Sequence, residues 1–404
     1  MEKRPSVQGQ RRGGPAIIPF MRTMYTAARL WGNGRLVESP MVSVNDGRIV
    51  SIESRSASAA PIDITIKDFP GATLAPAFLD VHIHGAAGHD VMEATPEAVS
   101  TIGRFLASRG TGSFLATTVS APLDATLRSL DGLSKIIAHK PSQGHAKPIG
   151  IHLEGPFLSH AKRGVHPPDK LLMPDIGAFD RMFEAAQGYV RLITLAPELP
   201  GAAELAAHAT SRGVRVSVGH SDATAAETRR AIAAGATSAT HTYNAMRALD
   251  HREPGILGVV LTTDEVYAEL ICDGIHNARE MVRLWWRAKG PQRAILITDA
   301  MSATGMPEGE YQLGGFAVQV AEGKAMLNGV LAGSVLTLDR ALVNFLEFTG
   351  ATVEQGLRLM TANPAAMIGN TEAGSLSVGA PADFVAVDSS GRLIGSVVGG
   401  EMTA

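Results

Sequence analysis

Thirteen histidines stand in the sequence, and four of them, His82, His84, His220 and His241, close short apolar runs. The runs are AFLDVHIH (77–84), VRVSVGH (214–220) and TSATH (237–241). Carboxylates hold the same place elsewhere: Glu154 ends IGIHLE (149–154), Asp273 ends VYAELICD (266–273) and Asp299 ends RAILITD (293–299). Alternate residues of a strand share a face, so His82 and His84 can point at one centre. A buried carboxylate is costly unless a partner or a cation neutralises it. Taken singly, each of these residues is most simply a satisfied core group. Their recurrence at the end of run after run is what points to a metal site. The donors are nitrogen and oxygen without sulfur, a set suited to Zn²⁺, Fe²⁺, Mn²⁺ or Co²⁺ rather than to Mg²⁺ alone.

Such residues need elements that bring them together. Two further runs, SFLATTV (113–119) and VRLITLA (190–196), bring the number to eight, and helical stretches separate them. In TPEAVSTIGRFLASRG, Thr95 can cap a helix and Pro96 suits its first position. Eight strand–helix repeats predict an α/β protein with a (β/α)₈ TIM-type barrel over residues 76–364, whose strand ends open on one face. An open doubly wound sheet is the alternative, and no GxGxxG follows a strand to support it. Both chain ends read as strands and turns. Asn45-Asp46-Gly47 can form a tight hairpin, and Gly374–Asp388 is again strand-like. Residues 21–75 and 365–404 are therefore expected to build a small β-sandwich domain, with residues 1–20 a disordered extension.

Composition narrows the function. A 45% hydrophobic and 19% charged chain is not largely disordered. With 36 Lys and Arg against 39 Asp and Glu there is no basic field, and no nucleic-acid partner is expected. The single cysteine, Cys272, excludes an intramolecular disulfide and fits a reducing, cytoplasmic setting. No apolar run reaches the roughly 18 residues of a membrane span, and the first twenty residues lack the apolar core of a signal peptide. No membrane partner is expected.

The blocks LDVHIHG (79–85), HLEGPF (152–157), GHSDAT (219–224), THTYNAM (240–246), DGIH (273–276), ITDAM (297–301), LAGS (331–334) and NPAAMIG (363–369) occur in this order. Together they resemble the N-acetylglucosamine-6-phosphate deacetylases of the amidohydrolase superfamily, from about residue 36 to about 388. The His-x-His block is common to the superfamily; the Glu-Gly-Pro and Tyr-Asn-Ala-Met blocks are narrower. The resemblance implies that Glu154, His220 and His241 hold a principal metal and that His82 and His84 add a second, with Glu154 between them. It implies Asp299 as the catalytic acid and base. Water activated at the metal would attack the acetamide, and acetate and D-glucosamine 6-phosphate would leave, in amino-sugar catabolism or cell-wall recycling. His166 would polarise the substrate, and Arg252 and His276 would read its phosphate. Val165, Asn244, Ala245, Leu331, Ala332 and Gly333 would supply further contacts. A phosphate contact from a neighbouring subunit would imply a homodimer.

The alternative is a deacetylase of a related hexosamine, such as N-acetylgalactosamine 6-phosphate. An unphosphorylated N-acyl amide is less compatible with Arg252 and His276. A non-catalytic scaffold is less compatible with a complete set of ligands and base. His139, His145, His160, His208 and His251 receive no role. His89 and Asp90 are expected to face solvent. His152 either supports Glu154 or simply packs, and Trp285, Trp286 and Cys272 are expected to be packing residues.

Overall fold

The computed structural model describes residues 22–54, 64–139, 142–370 and 372–404; the extension expected over residues 1–20 lies outside them. Eight parallel strands form the central sheet: β1 Phe78–Ile83, β2 Thr111–Thr118, β3 Lys147–Glu154, β4 Val190–Leu195, β5 Arg215–Val218, β6 Ala236–Ala239, β7 Tyr267–Ile271 and β8 Ala294–Ile297. Each neighbours the next in sequence order, which is the expected barrel. Every residue of β1 and β8 is buried, because side chains fill the interior and helices cover the outside.

The barrel closes at a seam between β8 and β1. Here the Asp299 N–H donates to His82 O at 2.9 Å, and Ile83 bridges Ala300. Asp80, fully buried in β1, accepts from the Thr298 hydroxyl at 2.6 Å and from the His82 N–H at 3.2 Å. Burial pushes its carboxyl up to about 7, against the lowering effect of these bonds.

The helix Pro96–Ser108 begins as expected. Thr95 accepts from the Ala98 N–H, Pro96 takes the first turn, and Val99, Ile102 and Leu106 turn inward. Trp285 is fully buried with its ring edge-on to Phe345, and Cys272 is buried at the end of β7, both in the packing roles expected.

The chain ends form one eight-stranded sheet. Ile64–Pro76 lies at its middle, between Arg22–Gly32 and the C-terminal strand Phe384–Val387. The expected hairpin turns at Asp46 and Gly47, both with positive φ. The sheet curls until Arg48 bridges Pro381 and the Ile49 N–H reaches Ala380 O at 3.0 Å. A sandwich results around Tyr25, Leu74, Phe384 and Val397.

One element was not foreseen. Gly309–Leu313, Phe316–Ala321, Lys324–Leu327 and Val330–Leu331 make a four-stranded antiparallel sheet beyond β8, with a core of Val318, Val320, Ala325 and Met301. Leu331 therefore ends a strand, where a turn was expected over Leu331–Gly333.

Candidate metal centre and active site

The strands are shorter than the apolar runs, and the difference places the site. His84 lies one residue past β1, and His220, His241 and Asp299 each lie two residues past β5, β6 and β8. His220, His241 and Asp299 have φ of 45, 28 and 51°, a region that residues with a Cβ seldom adopt. Such backbone persists where its surroundings hold it, commonly at functional sites.

Two groups of donors result, His82 with His84 and Asp299, and Glu154 with His220 and His241. All six residues are buried. Glu154 stands between the groups. Its Oε1 lies 3.3, 3.3 and 3.1 Å from Nε2 of His82, His220 and His241, and its Oε2 lies 3.2 Å from His84 Nε2. Asp299 Oδ1 lies 3.1 Å from His84 Nε2.

The arrangement fits a cation. His220 and His241 point their Nε2 atoms at each other across 3.1 Å. His82 Nε2 is buried without a hydrogen-bond partner. On three of the four rings the opposite nitrogen is occupied: His82 Nδ1 faces Glu269 at 3.3 Å, His84 Nδ1 faces Thr117 O at 3.1 Å and His220 Nδ1 faces Lys162 O at 2.9 Å, whereas His241 Nδ1 is buried without a partner. Outer acceptors of this kind keep Nε2 free for a metal and fix the ring.

Protons mark the same place. Burial pushes the His82 and His84 imidazoles down, but Glu154 and Asp299 outweigh it, raising His84 to about 9 and His82 well above its ordinary value. Conversely, burial pushes Glu154 and Asp299 up. The imidazoles outweigh that too, holding Glu154 well below the carboxylate range and Asp299 at about 2. Imidazoles and carboxylates thus stabilise each other's charged forms where the donors converge.

A cavity of about 490 Å³ opens over this cluster. His84, Glu154, His220, His241 and Asp299 reach it, as do the expected substrate residues Val165, His166, Asn244, Ala245, His276, Leu331 and Gly333. His166 is buried, with Nε2 3.5 Å from Glu154. The Ser120 N–H donates to His166 Nδ1 at 3.3 Å, which leaves the ring proton on Nε2, facing the cluster. Burial and neighbouring imidazoles hold its pKa below the ordinary value, so the ring is neutral near pH 7. His276 pairs with Asp273 at 2.6 Å; burial opposes its charge, and Asp273 raises it nonetheless.

The remaining residues singled out from the sequence lie as follows. Asp273 does not join the cluster; it holds His276 and caps its own turn. Ala332 is fully buried in the core of the four-stranded sheet and does not line the cavity. Arg252 is exposed and outside this chain's cavity. Asp90 is buried rather than solvent-facing, and accepts from the Gly314 N–H at 2.7 Å. His152 sits edge-on to His82 at 4.7 Å and bonds Thr194 at 2.8 Å, so it packs against a cluster histidine rather than against Glu154.

Sequence reasoning missed Glu269, buried in β7, whose Oε2 faces His82 Nδ1 and accepts from the His241 N–H at 3.4 Å. A glutamate inside VYAELICD was the available signal. It also missed the work of Ser334, whose N–H and hydroxyl hold Asp299 O at 2.7 Å and Thr298 O at 2.6 Å. Gly333 permits this approach: its φ is +63°, and a Cβ there would lie 2.9 Å from Asp299 O.

Residues 73–403 match the amidohydrolase family, and the chain belongs to it. Among curated relatives, it is 40% identical to the N-acetylglucosamine-6-phosphate deacetylase of Lysinibacillus sphaericus, over 86% of this chain and 89% of that protein. It is 37% identical to the N-acetylgalactosamine-6-phosphate deacetylase of Escherichia coli O157:H7, over 91% and 96%. A solved N-acetyl-D-glucosamine-6-phosphate deacetylase of Mycobacterium smegmatis superposes with a TM-score of 0.87 at 33% identity, covering 95% of this chain and 100% of that one.

Proposed function

We propose that the protein hydrolyses N-acetyl-D-glucosamine 6-phosphate to D-glucosamine 6-phosphate and acetate. The observation that carries this reading is the convergence of His82, His84, Glu154, His220, His241 and Asp299 beneath one cavity. Glu154, His220 and His241 would hold one divalent ion and His82 and His84 a second, with the two oxygens of Glu154 facing both groups. Zn, Fe, Mn and Co all suit the donors. Bound there, the metal supplies Lewis acidity and lowers the pKa of coordinated water.

The chain's own groups do the rest. Asp299 is ionised and lies beside His84, placed to take a proton from the attacking water. It would return that proton to the departing nitrogen, because an amine leaves poorly as an anion. His166 presents Nε2–H toward the cluster, where a carbonyl oxygen would gain negative charge. Asn244, Ala245, Val165, Leu331 and Gly333 would shape the sugar site, and His276, held by Asp273, would face the phosphate.

Arg252 lies outside its own cavity. We therefore read it as a contact to the phosphate in a second subunit, which makes the enzyme a homodimer. The N-acetylgalactosamine 6-phosphate reading stays beside the first, because the relative acting on that sugar is nearly as similar.

The test is acetate release from the two N-acetylhexosamine 6-phosphates and from unphosphorylated N-acetylglucosamine, on metal-loaded protein. A strong preference for a phosphorylated sugar is expected, and the preferred hexosamine settles the stereochemistry. Equal rates with and without phosphate would move the substrate to other N-acyl amides.

A further inference from the structure

We propose that Lys162 reads the substrate's phosphate from within the same subunit, an inference that rests on the sugar-phosphate reading above. Among the described residues lining the cavity, Lys162 is the one lysine or arginine. Within one chain, a phosphate dianion in this cavity would find its cationic partners in His276 and this ammonium.

Its position is set from two sides. On one side the segment Ser159–Lys162 is tied to His220: the Ser159 N–H donates to His220 O at 3.0 Å, and His220 Nδ1–H donates to Lys162 O at 2.9 Å. The backbone of Lys162 thus orients a cluster imidazole while its side chain remains free to act elsewhere. On the other side Nζ lies 3.8 Å from Asp222 Oδ1, beyond hydrogen-bond distance, so this loose ion pair leaves its donors unspent. Arg247 holds the other oxygen of Asp222 at 3.2 Å.

Asp222 follows a residue tied to the cavity wall. Ser221 pairs with the segment after β6, its N–H donating to Ala245 O and its carbonyl accepting from the Arg247 N–H, both at 2.9 Å. Lys162, Asn244 and Ala245 line the same cavity. Its side chain is about one third exposed, enough to turn toward a ligand. A lysine ammonium suits this task as a point charge that adapts to the phosphate, in contrast to the planar fork of an arginine.

The test compares the parent with Lys162→Gln and Lys162→Arg, each with bound metal quantified, on N-acetylglucosamine 6-phosphate and on N-acetylglucosamine. The expected result is that Lys162→Gln lowers the preference for the phosphorylated sugar about ten-fold or more, chiefly through KM, and that Lys162→Arg restores most of it. An unchanged preference in Lys162→Gln, or an equal loss on both sugars, overturns the proposal while leaving the deacetylase reading intact. A parent with no preference for phosphate overturns both.

Discussion

The two donor groups are built differently. His82 belongs to β1 and His84 follows it directly, both on ordinary backbone. His220 and His241 stand beyond their strands on left-handed backbone, and both face Glu154. The His82–His84 pair arises from strand alternation alone, while Asp299, the third member of that group, stands on left-handed backbone like His220 and His241. The second group exists only because surrounding bonds hold an unfavourable conformation: His220 to Lys162 O, and the His241 N–H to Glu269. Glu154 faces both groups, Oε1 toward His82, His220 and His241 and Oε2 toward His84. The difference ranks them. We expect the Glu154 group to be the indispensable one and the His82–His84 pair to extend it.

Breaking the bridge should have the largest effect. Glu154→Ala is expected to lower bound metal at both groups and to cut acetate release by about 10³-fold or more, measured by elemental analysis and steady-state kinetics. Asp299→Asn comes next. It should leave the metal of the Glu154 group in place while kcat falls by about 10²-fold or more, because the proton carrier is gone. Unchanged turnover would remove Asp299 from the mechanism.

Glu269→Gln probes the support common to both groups and should weaken metal binding by about 10–100-fold in a competitive chelator titration. His84→Asn should act on the pair alone. One ion per subunit is expected to remain, with activity lowered by about ten-fold and not abolished. Loss of all metal in that variant would reverse the ranking.

The smallest effect is on pH. In the metal-free site the His84 imidazole, raised to about 9 by Asp299 and Glu154, holds its proton through neutral pH, and His82 is raised in the same direction. A metal must displace those protons, so affinity should rise from pH 6 to pH 9 and binding should release protons, measurable by calorimetry in buffers of different ionisation enthalpy.

The barrel and most of the cluster were legible because chemistry sits at strand ends, where one polar residue interrupts an apolar run. His82, Glu154, His220, His241 and Asp299 all announce themselves this way. Glu269 and Asp80 did not: each lies inside a strand, and its role depends on a neighbour far away in sequence, His82 and His241 for one and Thr298 for the other. The four-stranded sheet hid because Gly309–Leu331 is short, turn-rich and only partly buried, so the alternation had little contrast to show. Asp273 misled for the opposite reason. It ends an apolar run like the true cluster members, but His276 three residues on captures it first.

The central claim is that metal held by this cluster is what makes the protein a deacetylase. The most direct measurement strips the protein of metal and follows acetate release from N-acetylglucosamine 6-phosphate as a divalent ion is added back, with bound ion quantified at each step. No activity is expected in the stripped protein, with recovery that tracks bound metal up to two ions per subunit. Full activity without metal, or a fully loaded protein that releases no acetate, would contradict it.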